Sequence, residues 1–134
     1  MAKKWHFEDC SLDAIYSSHV FEHLTLSGAR KCVAESYRCL SQGGVFRLVL
    51  PDLDLLVEEF DKNRSMAWAI KFFEADQNGE KNMHHFMYNF NSLQRILLEA
   101  GFTKINRVKY RVGACPDIDV LDNRPDSLFF EAIK

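Results

Sequence analysis

Two loops and one downstream segment hold most of the side chains that could do chemistry in this chain. The first is Ser17-Ser18-His19-Val20-Phe21-Glu22-His23. Imidazoles and a carboxylate this close together can hold a metal ion or move a proton near neutral pH. Read as His19-x-x-Glu22-His23, the loop matches the H-x-x-E-H pattern of inverted zinc peptidases, with two zinc-binding histidines and a Glu general base. That chemistry needs the motif inside a helix and a third ligand from elsewhere, and Thr25-Leu-Ser-Gly28 would interrupt such a helix. A zinc hydrolase on His19, Glu22 and His23 is therefore an alternative reading; His23 as a loop histidine bonded to neighbouring backbone is the plainer one. The second loop is Pro51-Asp52-Leu53-Asp54, where Asp52 can cap a helix. The third group, His84, His85 and Tyr88, follows the polar stretch Asp76–Asn82, which reads as a loop or lid. These side chains could cover a ligand or pack as an aromatic cluster.

The elements that must position these groups follow from hydrophobic spacing. Leu12–Ser18 is a short β-prone run, and Val45–Leu50 is a nearly continuous apolar run of strand length. Between them Ala29, Cys32, Val33, Tyr37 and Leu40 recur at three and four. That predicts an amphipathic helix with Ser27 as N-cap and Gly43-Gly44 as its stop. Strand, helix, strand is a βαβ unit whose right-handed crossover makes the strands parallel. Both functional loops then lie at the carboxyl ends of parallel strands, where such sheets bind ligands. Further on, Leu53, Leu56, Val57 and Phe60 predict a short helix, and Ser65 can cap another through Phe73. Asn91 or Ser92 opens a helix with Leu93, Ile96, Leu97 and Ala100 inward and Gly101 at its left-handed end. Ile105–Val112 alternates as a half-exposed edge strand, and Leu128–Ile133 is the last strand. The class is α/β.

Composition bounds the functions. The 134 residues fit one domain, 1–134, and 47% hydrophobic content suffices for a packed core. Seventeen basic against nineteen acidic residues leave a net charge of −2, so no field draws the chain to nucleic acid or anionic membrane. No apolar run is long enough for a membrane span, and the expectation is a cytoplasmic protein. Cys10, Cys32, Cys39 and Cys115 form no C-x-x-C pair and read as reduced thiols, with no metal role.

Three strings in order carry a more specific likeness: Phe7 through Leu24, Glu35-Ser-Tyr-Arg-Cys-Leu-Ser-Gln-Gly-Gly-Val45, and Leu48-Val-Leu-Pro-Asp-Leu53. Together with Met83–Tyr88, Leu93–Phe102 and Leu121–Leu128, they resemble the carboxyl-terminal part of class I S-adenosylmethionine-dependent methyltransferases of the type-11 kind. The resemblance implies a partial Rossmann-like sheet of about four strands with helices on its faces, its last strands including an antiparallel edge. It implies S-adenosylmethionine as cofactor, with Trp5-His6-Phe7 by the adenine and Ser17, Ser18 and His19 bordering the methionine end. It puts Asp52, His84, His85 and Tyr88 on the substrate side. Phe7 can also be a core staple, Ser17 and Ser18 can simply end a strand, and no dedicated catalytic residue is implied. The family's glycine-rich loop and ribose-binding acid have no counterpart, since the six glycines form no G-x-G. The expectation is a truncated domain that binds cofactor weakly by itself, whether or not Met1 is the natural start. Its first strand would then be an unpaired edge, open to a homodimer partner or to a complementing chain.

Overall fold

The computed structural model describes residues 4–64, 66–73 and 83–134. β1 (Leu12–Ser18) leads through a short 3-10 turn (Phe21–His23) to α1 (Leu26–Cys39) and β2 (Leu40–Leu50). α2 (Leu53–Asn63) and α3 (Met66–Phe73) follow, then α4 (Phe90–Ala100), β3 (Lys104–Val108), the single turn α5 (Ile118–Leu121) and β4 (Leu128–Ile133). The four strands form one sheet in the order β1-β2-β4-β3. β1 and β2 are parallel, with Ser17 opposite Leu48 and Ser18 opposite Val49. β4 is antiparallel to both β2 and β3, so the sheet has a parallel pair, an antiparallel edge and an open edge at β1. This is the mixed α/β sheet the sequence implies.

Local chemistry moves several element ends. α1 starts on Thr25, whose side chain accepts from the Gly28 backbone N–H, rather than on Ser27. The run Thr25-Leu-Ser-Gly28 thus opens a helix instead of breaking one. Gly43-Gly44 does not stop α1, which ends at Cys39; it forms an irregularity inside β2, where pairing steps from Leu12–Leu40 to Ala14–Val45. Gly43 has φ 81°, and a Cβ on Gly44 would sit 2.9 Å from the Ser41 carbonyl. α4 starts on Asn89, not on Asn91 or Ser92. Asn89 accepts from Ser92 N–H while the Ser92 hydroxyl accepts from Asn89 N–H, a reciprocal cap. Gly101 takes the left-handed end (φ 112°), and a Cβ there would meet the Tyr37 ring at 2.9 Å. β3 stops at Val108 because the chain turns before Arg111, itself at φ 54°. The expected α2 stripe is only one residue deep: Leu56 is buried while Val57 and Phe60 are exposed. Ser65 and the 76–82 stretch lie outside the described residues.

Strand pleating divides the sheet into two unlike faces. Phe46, Leu48, Leu50, Leu128, Phe130 and Ala132 pack with Ala29 and Val33 of α1 and with Leu93, Ile96 and Leu97 of α4. On the other face, Arg47 is fully buried. Its Nε donates to Asp122 at 3.1 Å, and its terminal nitrogens donate to Glu131 at 2.8 Å and to the carbonyls of Lys109 and Val112 at 3.2 Å. Asp122 also accepts from Arg111 N–H, and Glu131 from the N–H groups of Ala114 and Cys115. Every charge here is paired and hydrogen-bonded, the condition under which a buried ion cluster is tolerable. It straps the 109–122 segment across the sheet face. Among the described residues no helix is long and apolar enough to cross a membrane.

Breaking this cluster on one side should cost about 3–5 kcal/mol, because the other charges stay buried without a partner. Denaturant unfolding of Asp122→Asn checks this, and a loss under about 1 kcal/mol would contradict it. The pH dependence has a definite sign. Burial pushes the Asp122 carboxyl up, but Arg47 and the Arg111 amide pull it down further, for a net lowering. Glu35 is held down to about 2 by Arg38 and the Trp5 amide. Folded-state values below unfolded ones stabilise above the ordinary carboxylate range. Stability should thus hold from neutrality down to that range and fall as the pH drops toward about 2.

Candidate functional site

The parallel pair sets the site. His19 N–H donates to Val49 O at 2.8 Å as the last rung of β1 on β2. Beyond it the chain leaves the sheet, with His19 at φ 51°. Ser17, Ser18 and His19 therefore sit at one rim with Pro51 and Asp52, which follow β2. Ser17 and Ser18 are half-buried on β1, the strand at one end of the sheet. The His19 ring is fixed by the loop before β4: Nε2 lies 3.1 Å from Ser127 Oγ, and Nδ1 lies 3.4 Å from an Arg124 nitrogen.

Asp52 is buried and already engaged. Its side chain accepts from Asp54 N–H at 3.1 Å, capping α2, and its other oxygen accepts from Arg107 at 2.7 Å. It forms one wall of a cleft of about 270 Å³ between the end of β2, the first turns of α2 and Asp126. Behind it Leu53 N–H donates to Tyr88 O at 2.9 Å. The Tyr88 ring is fully buried against Phe86, as part of the core cluster. Burial and the Glu22 charge push its hydroxyl up to about 12, so it stays protonated. His85 is exposed, its N–H donating to Glu22 O, whereas His84 is half-buried and turned the other way.

His84 meets the first loop. Its ring lies edge-on to His23 at 4.9 Å between centroids, and its Nδ1 is 2.8 Å from Phe72 O. Glu22 is between these rings and His19. Its Oε1 is 3.2 Å from His19 Nδ1 and 3.9 Å from His23 Nε2. The His19 contact is not a hydrogen bond. Among the described residues neither Glu22 oxygen has a hydrogen-bond partner, although the side chain is 1% exposed. The H-x-x-E-H segment is a left-handed residue followed by a three-residue 3-10 turn, not the helix that a zinc peptidase requires. The grouping with metal-ligand spacing is Glu22, His23 and His84, with His19 outside it.

His6 and Phe7 are placed elsewhere. Arg38, in the last turn of α1, donates to the carbonyls of Trp5 and Phe7, and Trp5 N–H donates to Glu35. These contacts hold the segment at the amino-terminal end of β1, about 20 Å along the strand from Ser18 at the usual rise per residue. The structure does not bring His6 and Phe7 together with Ser17, Ser18 and His19. Phe7 is 52% exposed and is not a core staple either. All four cysteines are free thiols, and burial pushes Cys32 and Cys115 up to about 11.

A methyltransferase-domain family model matches residues 1–48. No curated protein sequence matches the chain. Among solved structures, a SAM-dependent methyltransferase from Thermotoga maritima, described as a candidate histamine N-methyltransferase, aligns at 16% identity and TM-score 0.59. The alignment covers 97% of this chain and 59% of that one. A SAM-dependent methyltransferase from Archaeoglobus fulgidus aligns at 18% identity and TM-score 0.58, over 96% and 62% of the two chains. A complex between the Haloferax volcanii Trm112 methyltransferase activator and a proposed methyltransferase gives 12% identity and TM-score 0.58, over 96% and 57%. At these identities the likeness is one of fold, and the chain spans about three-fifths of the length of these neighbours. The family model and the neighbours are those of class I S-adenosylmethionine-dependent methyltransferases, the family that the sequence motifs resemble.

The two roles of Asp52 can be separated by substitution. Asp52→Asn keeps the cap and loses the ion pair, and with Arg107 half-exposed it should cost no more than about 1 kcal/mol. Asp52→Ala also removes the cap and should cost about 1 kcal/mol more. Equal losses in chemical denaturation would contradict a capping role.

Proposed function

We propose that these residues form the substrate-side half of an S-adenosylmethionine-dependent methyltransferase site, with Ser17, Ser18 and His19 bordering the methionine end of the cofactor. The observation that carries this reading is the meeting of the β1 and β2 carboxyl ends at one rim, in a fold shared with class I methyltransferases. Ligands of open α/β sheets bind at such strand ends. Bound at this rim, S-adenosylmethionine would supply an electrophilic methyl group, and Ser17, Ser18 and His19 would hold its methionine end in line with the acceptor. Methyl transfer depends chiefly on positioning. Asp52 is bonded to Arg107 and caps α2, which suits it to orienting the acceptor at the adjoining cleft rather than to taking a proton. His85 remains a substrate-side candidate by its exposure.

With no G-x-G and no ribose-binding acid among the 134 residues, the strongest cofactor contacts must come from another segment. The open β1 edge is suited to receive it, either from a second copy or from a complementing chain, because an unpaired strand presents free N–H and C=O groups. The Haloferax volcanii neighbour's complex with an activator lends support to partnering of this kind.

Amide NMR titration of the 134-residue chain with S-adenosylhomocysteine tests both parts. We expect shifts centred on residues 17–19 that do not saturate at about 1 mM, a concentration at which ligand with a larger Kd adds under about 0.4 kcal/mol of stability. Shifts absent from residues 17–19 would contradict the site, and micromolar saturation would contradict the missing affinity. Light scattering on the same sample should give a mass that rises with concentration; a fixed monomer would oppose homodimer pairing at β1.

A further inference from the structure

We propose that Glu22, His23 and His84 form a binding site for one divalent transition-metal ion of the zinc class. Each offers a ligand atom, and the three atoms lie within 4.8 Å of one another. Two independent observations point to a ligand. Glu22 is 1% exposed, yet among the described residues neither of its oxygens has a hydrogen-bond partner. His19 Nδ1, 3.2 Å away, is a neighbour but not a hydrogen-bond partner, so the buried carboxylate is left under-satisfied and a bound cation would relieve it. His23 Nδ1 and the Tyr88 hydroxyl are also buried without partners, so four polar atoms of this corner are unsatisfied together.

The ligand set suits the metal class. Two imidazoles and one carboxylate favour zinc or a neighbouring first-row ion over magnesium or calcium, which prefer oxygen. Tetrahedral zinc with bonds of about 2.0–2.2 Å needs ligand atoms roughly 3.4 Å apart. The set must therefore close by up to about 1.4 Å, and His23 has the freedom to do so with 35% of its side chain exposed. His84 is already oriented, because its Nδ1 lies against Phe72 O and leaves Nε2 for the metal. Such a contact fixes the tautomer of a metal-binding histidine. Bound metal would tie the loop after β1 to the 83–88 segment beside the rim. The inference rests on these side chains alone and stands or falls separately from the methyltransferase reading.

The test is titration of metal-free protein with Zn2+ by calorimetry. One ion per chain with a Kd of about 10 μM or tighter is expected, with no heat from Mg2+ at the same concentration. His23→Ala and His84→Ala should each weaken zinc at least about tenfold, while the neighbouring exposed His85→Ala leaves it unchanged. Sub-stoichiometric zinc, or equal loss in His85→Ala and His84→Ala, would overturn the site. If a variant fails to fold by circular dichroism, Co2+ added to the unaltered chain decides. Paramagnetic broadening centred on residues 22, 23 and 84 supports the site, and broadening centred anywhere else refutes it.

Discussion

The rim exists because β1 and β2 run the same way. A parallel pair needs a crossover, and α1 supplies it, so both strands deliver their carboxyl ends to one side while the helix returns the chain beneath. His19 N–H to Val49 O is the last rung, and everything beyond it is loop. An antiparallel pairing of the same residues would have put Ser18 and Asp52 at opposite ends of the sheet. The antiparallel half, β4 and β3, adds no second rim of this kind. It serves the first by carrying Ser127 against His19 and Arg107 against Asp52.

The two sheet faces solve the burial problem differently. The helix-covered face is an apolar core of β2, β4, α1 and α4 side chains, and hydrophobic burial is its driving force. Over the other face, the 109–122 segment is bonded to Arg47 through the Lys109 and Val112 carbonyls. That segment leaves Val112, Val120 and Leu121 exposed rather than packing them on the sheet, and its backbone is tied down by Arg47, Asp122 and Glu131. Gly113 is required there: a Cβ would lie 2.2 Å from Glu131 Oε1 and 2.7 Å from an Arg47 nitrogen.

Much of this is legible in the residues. Apolar, β-prone runs of strand length mark β1, the core of β2 and β4, three-and-four spacing marks α1 and α4, and Gly101 announces the end of α4. The misses have local causes. Thr25 outcompetes Ser27 as a cap because its hydroxyl reaches Gly28 N–H, a choice that propensity alone does not settle. The Val108–Val112 alternation continues past the strand because Arg111 turns left-handed. Arg47 was visible as the one charge in Val45–Leu50, and Glu131 as the one charge in Leu128–Ile133; opposite charges in facing apolar runs were a signal that the strands pair. The Glu22–His84 approach leaves no such trace, since it joins segments about sixty residues apart through loops. The placing of His6 and Phe7 by the adenine comes from the family resemblance alone, with no spacing signal in these residues to support it. Arg38 holds them at the far end.

In the proposed site the β1 and β2 carboxyl ends, and no other part of the described chain, receive the methionine end of the cofactor. A crystal structure of the chain grown with S-adenosylhomocysteine at about 10 mM tests it most directly. The amino-acid end of the ligand is expected against Ser17, Ser18 and His19, with the adenosyl part directed off the open side of β1. Ligand seated beside His6 and Phe7, or a rim left empty at that concentration, would contradict it.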